Sequence, residues 1–263
     1  MPDTREKIAL VTGAASGIGR ATALRLIEDG WAGIALVDRD AALLDGTAAE
    51  VEALGGKALK IVADLNDLVR VSGLVGEAVA GLGRIDTVVN CAAIARPAIA
   101  VVDYDTDKFV QDLNVNLTAG FVVAREAARA MIAAKRPGAI VFIASINAQG
   151  AGVGSVGYCA SKAGVVALMK VLAAELGEHG IRVNAVSPGP TDTPRSVGRV
   201  GEKVMEKLRK RFDGAALRRL AEAREIADAV VYLSSDRSSY VSGHDLVVDG
   251  GLMASVYVAA KPE

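Results

Sequence analysis

The chain predicts an α/β fold, a doubly wound parallel sheet of about seven strands with helices on both faces, and three observations carry that reading. Short runs rich in β-branched and aliphatic residues recur seven times along the 263 residues. The segments between most of them are long enough for a crossover helix, which a parallel connection requires. The composition is 51% hydrophobic but only 4% aromatic, so the core must come from Ala, Val, Leu and Ile, as strands buried between two helical layers use them.

The first run, Ile8-Ala-Leu-Val-Thr, leads into Thr12-Gly13-Ala14-Ala15-Ser16-Gly17-Ile18-Gly19 and a helix over 17 to 29. The second, Gly33-Ile-Ala-Leu-Val, ends at Asp38, and Asp40 is placed to cap a helix over 41 to 54. Ala58-Leu-Lys-Ile-Val ends near Asp64 and Leu65, before a helix over 67 to 82. Thr87-Val-Val-Asn runs into Asn90-Cys-Ala-Ala and a helix over 107 to 134; Ala139-Ile-Val-Phe-Ile comes next. Val165, Leu168, Met169, Leu172 and Leu176 are spaced as one face of a helix over 157 to 177. Ile181-Arg-Val-Asn-Ala-Val and Leu246-Val-Val-Asp complete the sheet. Residues 190 to 219 lack a strand and interrupt the rhythm, which makes them a candidate lid. No linker, repeat or domain break is visible, so residues 1–263 are expected to form a single domain.

Composition narrows the function. Thirty basic side chains against 31 acidic ones leave a net charge of −1, which gives no reason to expect nucleic acid or an anionic membrane as partner. The charged first residues and the lack of a long uninterrupted apolar window point to a cytoplasmic, non-membrane protein. Cys91 and Cys159 are too few for a disulfide framework or zinc site, and His179 and His244 stand alone, so no metal is expected.

Tyr158-Cys159-Ala160-Ser161-Lys162 carries the chemistry. On a helix Tyr158 and Lys162 lie one turn apart on one face, a phenol and an ammonium within mutual reach, with the hydroxyl of Ser145 thirteen residues upstream. A fixed cation favours the anionic form of a phenol, the requirement for an acid/base pair. The glycine-rich turn after the first strand is where backbone N–H groups at a helix N-terminus meet a pyrophosphate. Asp38, nineteen residues after Gly19, can accept from ribose hydroxyls and repel a 2′-phosphate. That favours NAD over NADP; Arg39 argues the other way, but the loop supplies no second cation.

These residues together resemble the short-chain dehydrogenase/reductase family, of the common single-domain Rossmann type. The resemblance runs from Lys7 to about Leu252: a TGxxxGxG loop; Asn90-Cys-Ala-Ala for an NNAG segment, with Cys91 and Ala93 departing from it; Asn116 in Asn-Leu-Thr; Ser145, Tyr158 and Lys162; Pro188-Gly189 with Thr193 for a PGxxxT turn; and Ser242-Gly-His-Asp-Leu-Val-Val-Asp-Gly-Gly. It implies that Tyr158 is the general acid/base, that Lys162 holds the nicotinamide ribose and tunes Tyr158, that Ser145 bonds the substrate oxygen, and that Asn116 holds a relay water. It places NAD against Gly13, Ser16, Gly17, Ile18, Gly19, Asp38, Asp64, Leu65, Asn90, Ala92, Tyr158, Lys162, Pro188, Gly189, Thr191 and Thr193. Asn90 is expected to steady the central strand.

The expected reaction interconverts a secondary alcohol and a ketone. Arg96, Asn147, Gln149 and Gly152, with Pro97, Gly150 and Ser187 nearby, suit a compact or hydroxylated substrate such as a cyclic alcohol, a diol or a sugar. A 3-oxoacyl thioester reductase is one alternative; a non-catalytic NAD(H)-binding sensor is another. The resemblance also implies a homotetramer built through helices 107 to 134 and 157 to 177, where Ala124, Ala127, Ala128, Ala167 and Ala174 could serve either close helix approach or packing on the sheet. Residues 202 to 219 hold seven cations among three acids; they read as a solvated helix face or as a device that steers an acidic substrate.

Overall fold

The structure, a computed structural model, describes residues 6–254. Its first half comprises β1 (Ile8–Thr12), α1 (Gly17–Glu28), β2 (Gly33–Asp38), α2 (Ala41–Ala53), β3 (Lys57–Val62) and α3 (Leu68–Leu82). Next come β4 (Thr87–Asn90), α4 (Thr106–Leu113), α5 (Ala119–Ala133), β5 (Gly138–Ile143), α6 (Val156–Leu176) and β6 (Ile181–Pro188). The chain then passes through β7 (Thr191–Asp192), α7 (Pro194–Val200), α8 (Glu202–Lys210), β8 (Ala221–Glu222) and α9 (Ala223–Ser234) to β9 (Asp245–Val248).

Seven strands pair in parallel in the order β3-β2-β1-β4-β5-β6-β9. The order reverses direction between β1 and β4, where Thr12 is flanked by Val37 and Asn90. An open parallel sheet leaves its ligand crevice at the carboxyl ends of the strands beside that reversal. Side-chain alternation along β1 divides the core: Ile8 and Leu10 join one cluster with residues of α3, α5 and α6, and Ala9 and Val11 join the other with residues of α1, α2 and α9. Asp40 caps α2 by accepting from Leu43 N at 3.0 Å, and Asp67 caps α3 by accepting from Arg70 N at 3.0 Å. Capping therefore claims neither Asp38 nor Asp64.

Two elements differ from expectation. Residues 190 to 219 do contain a strand: β7 pairs with β8, Thr191 opposite Ala221, a two-residue ladder too short to leave a hydrophobic run. The helix expected over 107 to 134 is divided by a π-helical turn, Asn114–Thr118, which widens the helix at Asn116. Helix α6 and the turn after it, Val156–His179, are long and apolar enough by composition to cross a bilayer, at mean hydropathy 1.4. Here α6 packs into the core through Val165, Met169 and Leu172.

Candidate active site

The glycine loop is shaped by close approach. Gly13 adopts φ +70°, and a Cβ there would stand 2.8 Å from Ala92 Cα; at Gly19 it would stand 2.0 Å from the Gly13 carbonyl oxygen. Only hydrogen fits at either position, so the backbone stays bare where α1 begins. Thr12 Oγ1 accepts from the amides of Cys91 and Ala92 at 3.1 and 3.2 Å, tying the segment after β4 to β1. Between these segments lies a cleft of 390 Å³ lined by Gly13, Ser16, Gly17, Ile18, Gly19, Asp38, Asp64, Leu65, Ala92 and Thr193, with Arg39 and Arg195 also on its wall.

Asp38 closes one end of the cleft. Its carboxylate accepts from Ala15 N and Asp40 N, both at 3.1 Å, and two backbone donors hold it in place. Asp64 accepts from Asn66 N at 2.9 Å. Asn90 lies beneath the cleft: its side-chain amide is buried without a protein partner among the described residues and faces a small void bounded by Thr12, Asn116 and Phe142. The expected role of that side chain in steadying the central strand has no hydrogen bond to carry it.

A second cavity of 320 Å³ adjoins the first through Ile18, Ala95, Thr193 and Arg195. Ser145, Tyr158 and Lys162 line it together with Pro188, Gly189, Thr191 and Thr193. Ser145 stands two residues past β5, and its Oγ accepts from Asn147 N at 3.1 Å, which leaves its O–H as a donor. Lys162 is buried beside Tyr158, with Nζ 5.7 Å from the phenol ring centroid and donating to the Ile143 carbonyl at 2.6 Å. Burial, with a smaller contribution from the charge of Arg195, pushes the Lys162 ammonium down to about 7. Thr193 caps α7 by accepting from Ser196 N at 3.2 Å, and Thr191 donates to the Gly189 carbonyl at 2.9 Å.

Asn116 occupies the π turn. Its Oδ1 accepts from Ile94 N at 2.6 Å, and its Nδ2 donates to the Ile94 carbonyl at 3.0 Å and to Ser161 Oγ at 3.1 Å. Both amide hydrogens are used, so one Oδ1 lone pair remains for the relay that the resemblance implies. The visible work of the side chain is to pin the segment that walls the cleft.

Of the expected substrate residues, Asn147 and Gly152 line the second cavity, whereas Arg96 and Gln149 do not. The Arg96 guanidinium is taken by the buried Asp112 at 3.0 Å and by Gln111 at 2.6 Å, and Gln149 donates to Asp245 at 3.0 Å. Ser187 is fully buried within β6. Sequence reasoning missed Arg195, Arg199, Met205, Leu208 and Leu220, all on the wall of this cavity. A signal existed for the first two. Thr193 and Pro194 form the N-cap and first position of a helix, and the two arginines follow four residues apart.

A family model described as enoyl-(acyl carrier protein) reductase matches residues 13–253. A solved short-chain type dehydrogenase/reductase from Mycobacterium marinum superposes with a TM-score of 0.88 at 35% identity, covering 96% of this chain and 98% of that one. The chain belongs to the short-chain dehydrogenase/reductase family. Among curated relatives, (+)-borneol dehydrogenase 1 of Salvia officinalis is 40% identical over 93% of each chain. The 3-oxoacyl-[acyl-carrier-protein] reductase FabG of Thermotoga maritima is 39% identical over 94% of this chain and 98% of that protein. Membership in the family makes this chain an oxidoreductase acting on CH–OH groups.

Proposed function

We propose that the chain is an NAD-dependent dehydrogenase that interconverts a secondary alcohol, such as a cyclic alcohol, diol or sugar-like molecule, with the ketone, using Tyr158 as general acid/base. The observation that carries this reading is that Tyr158, Lys162 and Ser145 share one cavity with the Pro188 to Thr193 turn, next to the glycine-lined cleft. The residues fit a nicotinamide dinucleotide: the faces of Gly13 and Gly19 admit no Cβ, and the carboxylate of Asp38 is fixed at the far wall. Bound there, the nucleotide supplies the hydride acceptor or donor. Gly13 to Gly19 would face its phosphates, Asp38 its adenosine ribose, Asp64 and Leu65 its adenine, and Lys162 with Thr193 its nicotinamide half.

Tyr158 takes the proton of the alcohol during oxidation or returns it during reduction. The free O–H of Ser145 donates to the substrate oxygen as charge develops there. Lys162 supplies positive charge beside the phenol, and Asn116 fixes the wall through Ile94. Helices α7 and α8 form the lid, setting Met205 and Leu208 against the cavity. The 3-oxoacyl thioester reductase reading is supported by the Thermotoga relative and by Arg39 on the cleft wall.

We read the enzyme as a single-domain, cytoplasmic homotetramer. Val110, Phe121, Ile132 and Val171 are exposed on α4, α5 and α6, and such a surface favours association through those helices. Ala124, Ala127 and Ala128 are buried against the sheet, whereas Ala167 and Ala174 are exposed on α6.

The test is a panel of secondary alcohols and polyols with NAD, followed as NADH absorbance, beside the same panel with NADP. NAD-linked turnover that Tyr158→Phe abolishes while nucleotide binding persists supports the reading. Nucleotide binding with no wild-type turnover on any alcohol makes the protein a sensor instead.

A further inference from the structure

We infer that Arg199, with Arg195 beside it, forms an anion subsite, and that the substrate is a secondary alcohol carrying a carboxylate on a short aliphatic skeleton, a hydroxy acid or its oxo acid. The inference rests on the dehydrogenase reading and deepens it.

The cavity has three kinds of wall. Ser145, Tyr158 and Lys162 supply the reacting polar groups; Ile146, Val200, Met205, Leu208 and Leu220 are apolar; Arg195 and Arg199 supply cations from α7. Among the described residues no Asp or Glu lines this cavity. Other arginines of the lid region are neutralised. Arg209 pairs with Asp192 at 2.7 Å and also with Glu202, Arg211 with Asp213 at 2.7 Å, Arg218 with Asp213 at 3.7 Å, and Arg219 with Glu225 at 2.6 Å. These pairs account for the arginines of residues 202 to 219 as the solvated, self-compensated face the sequence allowed.

Arg199 and Arg195 are different. Arg199 donates to the neutral Ser155 Oγ at 2.9 Å and Arg195 to the Ala93 carbonyl at 3.3 Å, and neither has a carboxylate partner among the described residues. A guanidinium carries five N–H donors, so each retains most of its capacity. Two half-buried cations four residues apart, near a buried lysine, repel one another, and an anion between them offsets that repulsion. Guanidinium and carboxylate match in a planar, bidentate geometry. Arg195 lines the nucleotide cleft as well as this cavity, but Arg199 lines only this one; Arg199 is therefore the anchor. The apolar wall that shares the cavity with Arg199 and Tyr158 suits a short hydrocarbon chain. A cavity of 320 Å³ suits a small molecule.

The experiment compares a homologous series of short hydroxy acids with their methyl esters and a phosphate monoester of a matched diol, with NAD and with NADP, in wild type, Arg199→Gln and Arg199→Lys. The expected wild type favours acid over matched ester in kcat/KM by about tenfold or more, the range of one charge-assisted bidentate pair. The acid preference falls as salt rises. Arg199→Gln collapses the acid-to-ester ratio by a similar factor, mainly through KM, and Arg199→Lys restores part of it. Esters used as well as acids, or a variant that lowers both alike, would overturn the inference; so would preference for the phosphate monoester, which would assign the subsite to another anion. Turnover of neutral alcohols with acids excluded removes the subsite and leaves the dehydrogenase standing. Absence of Tyr158-dependent turnover across the alcohol panel and both anion arms removes both.

Discussion

The Lys162 Nζ lies 5.7 Å from the centre of the Tyr158 ring and donates to the Ile143 carbonyl at 2.6 Å. That carbonyl is the one protein acceptor, among the described residues, of a lysine only 2% exposed, so its charge is held against its solvation preference. Burial pushes it to about 7, below the ordinary range of a lysine. The folded protein thus binds fewer protons than the unfolded chain between about pH 7 and pH 10.5. Stability attributable to this group rises with pH across that window, and its full cost is felt below it. Lys162→Met is expected to inactivate the enzyme yet raise its urea midpoint at pH 6, with the gap narrowing toward pH 10. A variant less stable than wild type at pH 6 would show that the ammonium is better compensated than this geometry allows.

The proposed NAD preference rests on Asp38. Replacing it with Ser or Ala removes a fixed negative charge from the wall where a 2′-phosphate would sit, and Arg39 is already on that wall. The ratio of kcat/KM for NADP over NAD should rise at least tenfold, the scale of one charge removed from a partly dry site. An unchanged ratio means the carboxylate does not face the ribose.

The glycine loop gives a prediction with an internal control. Gly19→Ala forces a Cβ to 2.0 Å from the Gly13 carbonyl oxygen, so the loop must open. Overpacking of this kind costs about 1–3 kcal/mol, and nucleotide affinity, read by fluorescence titration, should fall more than tenfold. Gly46→Ala in α2 meets nothing within 4 Å and should stabilise the fold by about 0.5–1 kcal/mol. Equal effects at the two positions would remove the argument from close approach.

Arg96 is a structural residue. It partners Asp112, which is 1% exposed and also accepts from the Tyr104 hydroxyl; burial and that carboxylate push the Tyr104 phenol up to about 12. Arg96→Met leaves a buried carboxylate short of its cation, at a cost of about 2–4 kcal/mol. Thermal unfolding should shift down while KM for the alcohol changes little. A large KM effect without loss of stability would return Arg96 to the substrate.

How much of this was legible in the sequence depends on the range of the physics involved. Strand positions, the glycine loop and the Tyr158/Lys162 spacing are local: each is fixed by backbone reach, a missing Cβ or one helical turn, so each shows in a few adjacent letters. The role of Arg96 is not local, because the carboxylate that claims it sits sixteen residues away and is selected by burial. Arg199 shows the converse. Its helix start is written in Thr193 and Pro194, but only the docking of α7 over Ser155 and the distribution of acidic residues along residues 190 to 219 distinguish it from Arg209. The apolar cavity wall of Met205, Leu208 and Leu220 is likewise assembled by tertiary contact.

The wide turn at Asn114–Thr118 carries one residue more than a regular helix needs at the point where the Asn116 amide grips Ile94. Deleting one residue there would restore ordinary winding and leave the turns downstream in phase, because a π turn is a single inserted residue taken up within one turn. Val123, Ala127 and Met131 would still meet the sheet, while the bulge that brings the Asn116 amide to Ile94 would be gone. The extra residue is therefore a local device: it shapes the crevice wall and leaves the packing of the helix behind it untouched.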